Sequence, residues 1–261
     1  MRIAAVGDNC MDVYDTMGRA FPGGNPVNVA VYSLRLGMEA SYTGVVGDDK
    51  YGRIMIDALA AKKVDTSHLR VLPGRTAVTH VELVDGERVF GDYDEGVLAS
   101  FKLSPEDIDF LCSHDIVVSG LWGKVEGDLA AIRARGVPVA FDFATKLDDP
   151  IVEKAVGNVD YAFFAYDGGD DEFIRGYLER MRGRGPRVAI ATLGDKGSLA
   201  YDGRAYTAFG IVPCEVKDSM GAGDSYIAGF IKGILQGRAL SECMRLGAEN
   251  ASVTLQYNGA W

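Results

Sequence analysis

The run Asp218-Ser219-Met220-Gly221-Ala222-Gly223-Asp224-Ser225 holds the residues best suited to chemistry, an aspartate directly behind a Gly-Ala-Gly string. Apolar residues follow at Ile227, Phe230, Ile231, Ile234 and Leu235. That is the spacing of one helical face, so a helix begins near Ala222. A helix start offers N–H groups with no intrahelical partner, and small residues let an anion approach them. Gly221, Ala222 and Gly223 are therefore candidate phosphate donors, and Asp224 stands beside them as a proton acceptor. An anion site next to a base suits phosphoryl transfer to a hydroxyl. On its own, Gly-x-Gly-Asp also fits an ordinary helix start with an acidic first turn.

A second cluster lies early in the chain. Gly23-Gly24-Asn25-Pro26-Val27-Asn28-Val29-Ala30 places a double glycine at a helix start. Asn25 and Asn28 are three residues apart, hence on one face of its first turns. Amide side chains both donate and accept, which suits sugar hydroxyls. Before it, Gly7-Asp8-Asn9-Cys10-Met11-Asp12 follows an apolar run and supplies Asp8, Asn9 and Asp12. Farther on, Asp92, Asp94 and Glu95 surround Tyr93, which reads either as a solvated acidic loop or as a complement to a cationic ligand.

The elements that must position these residues alternate. Strands are expected at Arg2–Val6, Tyr42–Val46, Asp115–Ser119, Val137–Phe143, Tyr161–Ala165 and Val188–Thr192. Helices are expected at Pro26–Leu36, Tyr51–Ala61, Pro105–Cys112, Leu129–Arg135, Asp171–Arg182, Ala222–Gln236 and Ser241–Thr254. Ser104 before Pro105 is a good N-cap with proline at the first helical position. This order predicts an α/β fold with a mainly parallel sheet covered by helices on both faces, its ligands at the C-terminal ends of the strands. Residues 76–90 break the pattern: two strand-like runs flank Asp85-Gly86, as in a hairpin.

The chain has 261 residues, 48% hydrophobic and 25% charged, enough for one α/β domain with a real core. A net charge of −10 without a basic run argues against a nucleic-acid surface. No stretch is apolar enough to span a membrane and no signal peptide is recognised, so a cytoplasmic protein is expected. The four cysteines (Cys10, Cys112, Cys214 and Cys243) are scattered without a C-x-x-C pair, which suggests neither a disulfide framework nor a zinc site.

Taken together, the strings resemble the ribokinase-like (PfkB) carbohydrate kinases. D-S-M-G-A-G-D is similar to that family's C-terminal signature, and Gly23–Ala30 to its N-terminal one. Gly44-Val45-Val46-Gly47-Asp48-Asp49 with Gly52, and Thr192-Leu193-Gly194-Asp195-Lys196-Gly197-Ser198, resemble two further elements, in family order. Arg88–Val97, the opening Gly7–Asp12, Ala140–Phe143 and the ending Leu255–Trp261 resemble the branch of the family that phosphorylates fructoselysine. The resemblance implies a single three-layer sandwich over residues 1–261 with a small, reduced β lid formed mainly by residues 74–96. Only about ten residues separate Asp12 from Gly23, which leaves little room for lid strands there.

The activity it implies is ATP-dependent phosphorylation of the 6-hydroxyl of a fructosamine. Asp224 would be the base and Gly221, Ala222 and Gly223 the anion hole. Sugar would lie on Asp8, Asn9, Asp12, Gly23, Gly24, Asn25 and Asn28, with Asp92, Tyr93, Asp94 and Glu95 toward the substrate's amines. ATP would lie on Thr192, Gly194, Gly197, Gly221, Gly223 and Asn250. The position at a helix N-terminus is expected to keep the Asp224 pKa low. The cofactors implied are ATP and Mg²⁺, with room for a monovalent cation; a homodimer through the lid is expected from fold analogy. The N-x-x-E string that many members carry is replaced by Tyr166-Asp167-Gly168-Gly169-Asp170-Asp171-Glu172, so no metal ligand is assigned to the protein and Mg²⁺ is left to phosphates and water. A plain-sugar kinase, a nucleoside kinase of the same fold and a catalytically silent sensor remain the alternatives.

Overall fold

The structure is a computed structural model; it describes residues 1–14, 18–84 and 87–261, and of 82–84 and 87–90 the backbone alone. The Asp85-Gly86 turn lies outside the described residues. In chain order the strands and helices are β1 (Arg2–Val6), β2 (Cys10–Tyr14), β3 (Arg19–Gly23), α1 (Asn25–Arg35), β4 (Glu39–Gly47), α2 (Lys50–Ala61), β5 (Leu69–Leu72), β6 (Val78–Val84), β7 (Glu87–Asp94), α3 (Pro105–Leu111), β8 (Ile116–Gly120), α4 (Leu129–Ala134), β9 (Val139–Asp142), α5 (Pro150–Ala155), β10 (Tyr161–Ala165), α6 (Glu172–Arg182), β11 (Val188–Thr192), β12 (Ser198–Tyr201), β13 (Tyr206–Phe209), α7 (Ala222–Leu235) and α8 (Leu240–Thr254).

Nine strands form the main sheet in the order β13-β12-β11-β10-β9-β8-β1-β4-β5. Its pairs are parallel from β11 to β5; β12 and β13 run antiparallel at one edge. Side chains alternate between the two faces. Ile3, Ala5, Ile116, Val118, Tyr161, Phe163, Val188 and Ile190 pack under α1, α2, α7 and α8. Ala4, Val6, Val117, Ala162, Phe164, Ala189 and Ala191 pack under α3 to α6. A sheet buried on both faces explains why its strands read as unbroken apolar runs. Ser104 caps α3 through a complete capping box with Asp107.

A second, four-stranded sheet has the order β3-β2-β6-β7. The expectation that the stretch between Asp12 and Gly23 leaves little room for lid strands is therefore corrected: β2 and β3 form an antiparallel pair across it, and β2 joins β6 in parallel. Five-residue strands with a short connection fit the span that seemed too short. Pro22 is compatible because β3 lies at the sheet's edge, where no ladder donor is needed.

Candidate active site

The sheet order delivers polar groups to one place. β1 ends just before Asp8, β9 ends in Asp142, and α1 starts with Asn25. On the other side, α7 begins at Ala222 with Gly221 as its N-cap in the left-handed region, φ 72°. A Cβ at Gly221 would lie 2.2 Å from the Tyr32 hydroxyl oxygen, so glycine is required for shape as well as for backbone. Gly24 opens α1 at φ 109°, and a Cβ there would lie 2.7 Å from the Asn9 Cα.

Asp224, third in α7, is held by both asparagines of α1. Asn25 Nδ2 donates to its Oδ1 at 2.6 Å and Asn28 Nδ2 to its Oδ2 at 2.7 Å. Asn25 Nδ2 also donates to Asp142 Oδ2 at 2.8 Å, so one amide bridges two carboxylates. Burial pushes the Asp224 pKa up to about 7; the Asp142 charge adds to this, while the two amides oppose it. Asp8 is pushed up to about 6 by burial, against its backbone hydrogen bonds and with Asp142 adding. Asp142 rises to about 6, again through burial, with the Ala144 N–H opposing. The expectation of a low pKa at Asp224 is thus overturned, because withdrawal from water and a neighbouring anion outweigh the helix N-terminus.

These shifts make stability pH-dependent. Between about pH 4, where unfolded carboxylates titrate, and about pH 7, the folded chain binds protons that the unfolded chain has released. Native binding exceeds unfolded binding there, so stability falls as pH rises through that window. His114, shifted down chiefly by burial, works against this below its ordinary value, but as one group against three. We expect a higher melting temperature at pH 5 than at pH 7.5, measured without ligand; a rise between those values would contradict the assignment.

The sequence-predicted residues divide. Asp8, Asn25, Asn28 and Asp224 come together as described. Asp12 on β2 is buried, with the Cys10 thiol donating to it at 3.5 Å, and a Cβ on Gly23 would lie 2.9 Å from Asp12 Oδ2. Asn9 is turned away: its Nδ2 donates to the Tyr42 hydroxyl and the Val45 carbonyl at 2.9 and 2.7 Å, tying the loop to β4. Tyr93 is partly exposed, and its hydroxyl is raised first by burial and then by the charges of Asp8 and Cys10, which places it near the cluster. The acidic loop around it has partners of its own: Asp94 pairs with Arg75 at 2.5 Å and Glu95 with Lys124 at 2.8 Å, while Asp92 is exposed. Asp94 and Glu95 thus each have a cationic partner within the protein.

A cavity of about 400 Å³ lies against the other side of the α7 start. Thr192, Gly194, Gly197, Ala222 and Gly223 form one part of its wall, and Ile211, Val216, Ala248, Ala251 and Leu255 an apolar part. Asn250 does not belong to it. Its amide donates to the Ser225 carbonyl at 2.7 Å and accepts from Arg35 at 2.7 Å, which joins α8 to α7 and α1. The Ala222 N–H donates to the Ser219 carbonyl at 3.2 Å, so it already closes a turn.

Asp142 escaped the sequence reading, although a carboxylate ending a predicted strand was its signal. Loop 166–172 has other duties: Asp171 caps α6 and accepts from Tyr166, and Asp170 pairs with Arg175. Among the described residues no cluster of His, Cys, Asp and Glu could hold a metal ion. Nor is any helix there long and apolar enough to cross a membrane.

Comparison with known proteins bears on what such a pair of sites does. The sequence pattern of the pfkB family carbohydrate kinases matches residues 13–261. The chain is 44% identical to the fructoselysine 6-kinase of Shigella flexneri, over 99% of each chain. It is 31% identical to a fructosamine kinase of Bacillus subtilis, covering all of this chain and 93% of that one. In fold it is similar to Arabidopsis thaliana ribokinase, solved with ribose and ATP, at a TM-score of 0.87, 22% identity and coverage of 99% and 93%. The chain belongs to the pfkB family of carbohydrate kinases. It is an ATP-dependent sugar kinase.

Proposed function

We propose that this kinase transfers the γ-phosphoryl group of ATP to the 6-hydroxyl of a fructosamine, fructoselysine in particular. One observation carries the reading. Asp224, gripped by two amides, directly follows two residues that wall the apolar cavity, and its other neighbours are Asp142 and Asp8. A nucleotide in the cavity, its base against the apolar wall, would present its phosphates at the α7 start. A sugar on the polar side would present a hydroxyl to Asp224.

In this reading Asp224 accepts the hydroxyl proton while the phosphoryl group moves. The loose transition state needs alignment and charge stabilisation more than early proton removal. The free ends of α7, at Gly221 and Gly223, supply positive potential to the phosphates. When bound, Mg²⁺ would neutralise phosphate charge, held by the nucleotide's phosphates and water. The second sheet, tied to the main one by the Lys124–Glu95 pair, acts as a lid that shields the sugar.

The substrate assignment draws on charge. Among the described residues no Lys, Arg or His is paired with Asp8, Asp142 or Asp224, and each is costly to ionise where it stands. A neutral sugar would leave that field uncompensated, whereas a fructosamine brings a cationic amine into it. The 44% identical relative named as a fructoselysine 6-kinase supports the same choice. We expect kcat/KM for fructoselysine to exceed that for fructose and ribose by at least about 10²-fold, roughly the weight of a charge-assisted contact in a buried site. Equal turnover of fructose would remove the substrate assignment and leave the kinase chemistry.

A further inference from the structure

We propose that Trp261 is a positioning residue that selects the orientation of the Asn28 amide and, through it, fixes Asp224; this rests on reading Asp224 as the base. A side-chain amide has an accepting oxygen and a donating NH₂ of nearly the same shape, so its direction is set by its partners. Asn28 is buried, and both ends are engaged. Its Nδ2 donates to Asp224 Oδ2 at 2.7 Å, and its Oδ1 accepts from the indole Nε1 of Trp261 at 2.7 Å. An indole N–H can only donate. A flipped Asn28 would set NH₂ against that N–H and turn its oxygen onto a carboxylate. Trp261 therefore favours the single orientation that donates to the base.

The contrast with Asn25 sharpens the point. Its Nδ2 serves Asp142 and Asp224 together, but its buried Oδ1 has no partner. Only Asn28 has a donor behind it. The segment carrying the tryptophan is itself fastened to the same site. The hydroxyls of Tyr32 and Tyr257 donate to the Ala260 carbonyl, and the Gly259 N–H donates to Asp218 Oδ2 at 2.7 Å. Asp218 Oδ1 in turn accepts from the Met220 N–H at 3.0 Å, inside the run that leads to Asp224. Lys62 lies 5.5 Å from the centre of the indole ring system. Residues 257–261 thus close onto the back of α1 and α7, and the indole N–H is their contact with the amide that touches the base.

The consequence is a proton affinity. A donor on Asp224 favours its anion, and the Asn28 bond lowers its pKa. Trp261→Phe keeps an aromatic ring but removes the N–H together with part of the indole's volume. The acid limb of the kcat profile should move up by about one pH unit. Activity would then fall about fivefold at pH 7, recover almost fully at pH 9, and leave KM for ATP within about twofold, as the titration of a single base requires. Benzothienylalanine incorporated at position 261 matches the indole in shape without an N–H; it gives the same readout should Trp261→Phe fold poorly. Asp224→Asn is assayed alongside. If Asp224→Asn loses turnover and the limb of the position-261 variant stays at the wild-type pH, whatever its melting temperature, the positioning role is wrong and the base reading stands. If Asp224→Asn keeps its turnover, the base reading fails first and the positioning role with it.

Discussion

Asp224→Asn is expected to lower kcat about 10³-fold, the middle of the range seen when a general base is removed, while the melting temperature at pH 7.5 stays equal or rises. The two halves of this expectation have one cause. Asp224 is an anion withdrawn from water beside Asp142 and Asp8, which is why its pKa climbs to about 7. Neutralising it removes that cost of ionisation. What opposes the gain is local: Asn25 and Asn28 both present NH₂ groups to position 224, and an amide there can accept from only one of them. A residue kept at such an unfavourable place for folding, and costly to replace only in turnover, is one whose charge serves the reaction. If the variant retained more than a tenth of wild-type kcat, proton acceptance by Asp224 would be excluded. A marked loss of stability would instead make it a structural residue.

Gly223→Asp should have the next largest effect, acting on the nucleotide. Gly223 lies in the wall of the 400 Å³ cavity, and a Cβ there meets nothing within 4 Å. Backbone φ is ordinary, since Gly223 is absent from the positive-φ glycines. An acidic residue in the first turn of α7 also suits the helix dipole. Folding should therefore be unharmed. The new carboxylate would occupy the space and reverse the potential that the proposal gives to the phosphates. KM for ATP should rise more than about 10²-fold, the scale of a close like-charge contact in a partly desolvated site. The acid limb of the profile should also move up, because a further anion beside Asp224 raises its pKa as Asp142 does. An unchanged ATP affinity, measured by calorimetric titration, would move the nucleotide elsewhere.

Much of this arrangement was legible in the sequence, for identifiable reasons. Strands β1, β10 and β11 were expected at their observed bounds because a sheet buried on both faces writes its strands as short apolar runs bounded by polar residues. Seven of the eight helices among the described residues were expected to within a residue or two, since helices such as α2, α6 and α7 keep a clear apolar face, whereas the six-residue α5 was missed. Strands β2 and β3 were missed because their pairing is decided at a distance: β2 owes its place to β6, more than sixty residues later. The carboxylate cluster was half legible. Asp8 and Asp224 stood beside glycine-rich helix starts, but Asp142 gained its meaning only when α1 laid Asn25 between it and Asp224. The bracing bonds of Asn9 and Asn250 escaped the sequence for a shared reason. An amide near a motif and an amide within it look alike in sequence, whereas in the fold one braces β4 and the other joins two helices. The pKa of Asp224 was misjudged because helix position is local and burial is not.

The central claim is transfer of phosphate to one particular oxygen. It is tested most directly by incubating the kinase with Mg²⁺, ATP and fructoselysine, then locating the new ester by proton–phosphorus correlation NMR while ADP is counted. The account predicts one phosphate ester on the C6 oxygen for each ADP formed. A phosphate on any other oxygen, or ADP formed with no phosphorylated sugar, would contradict it.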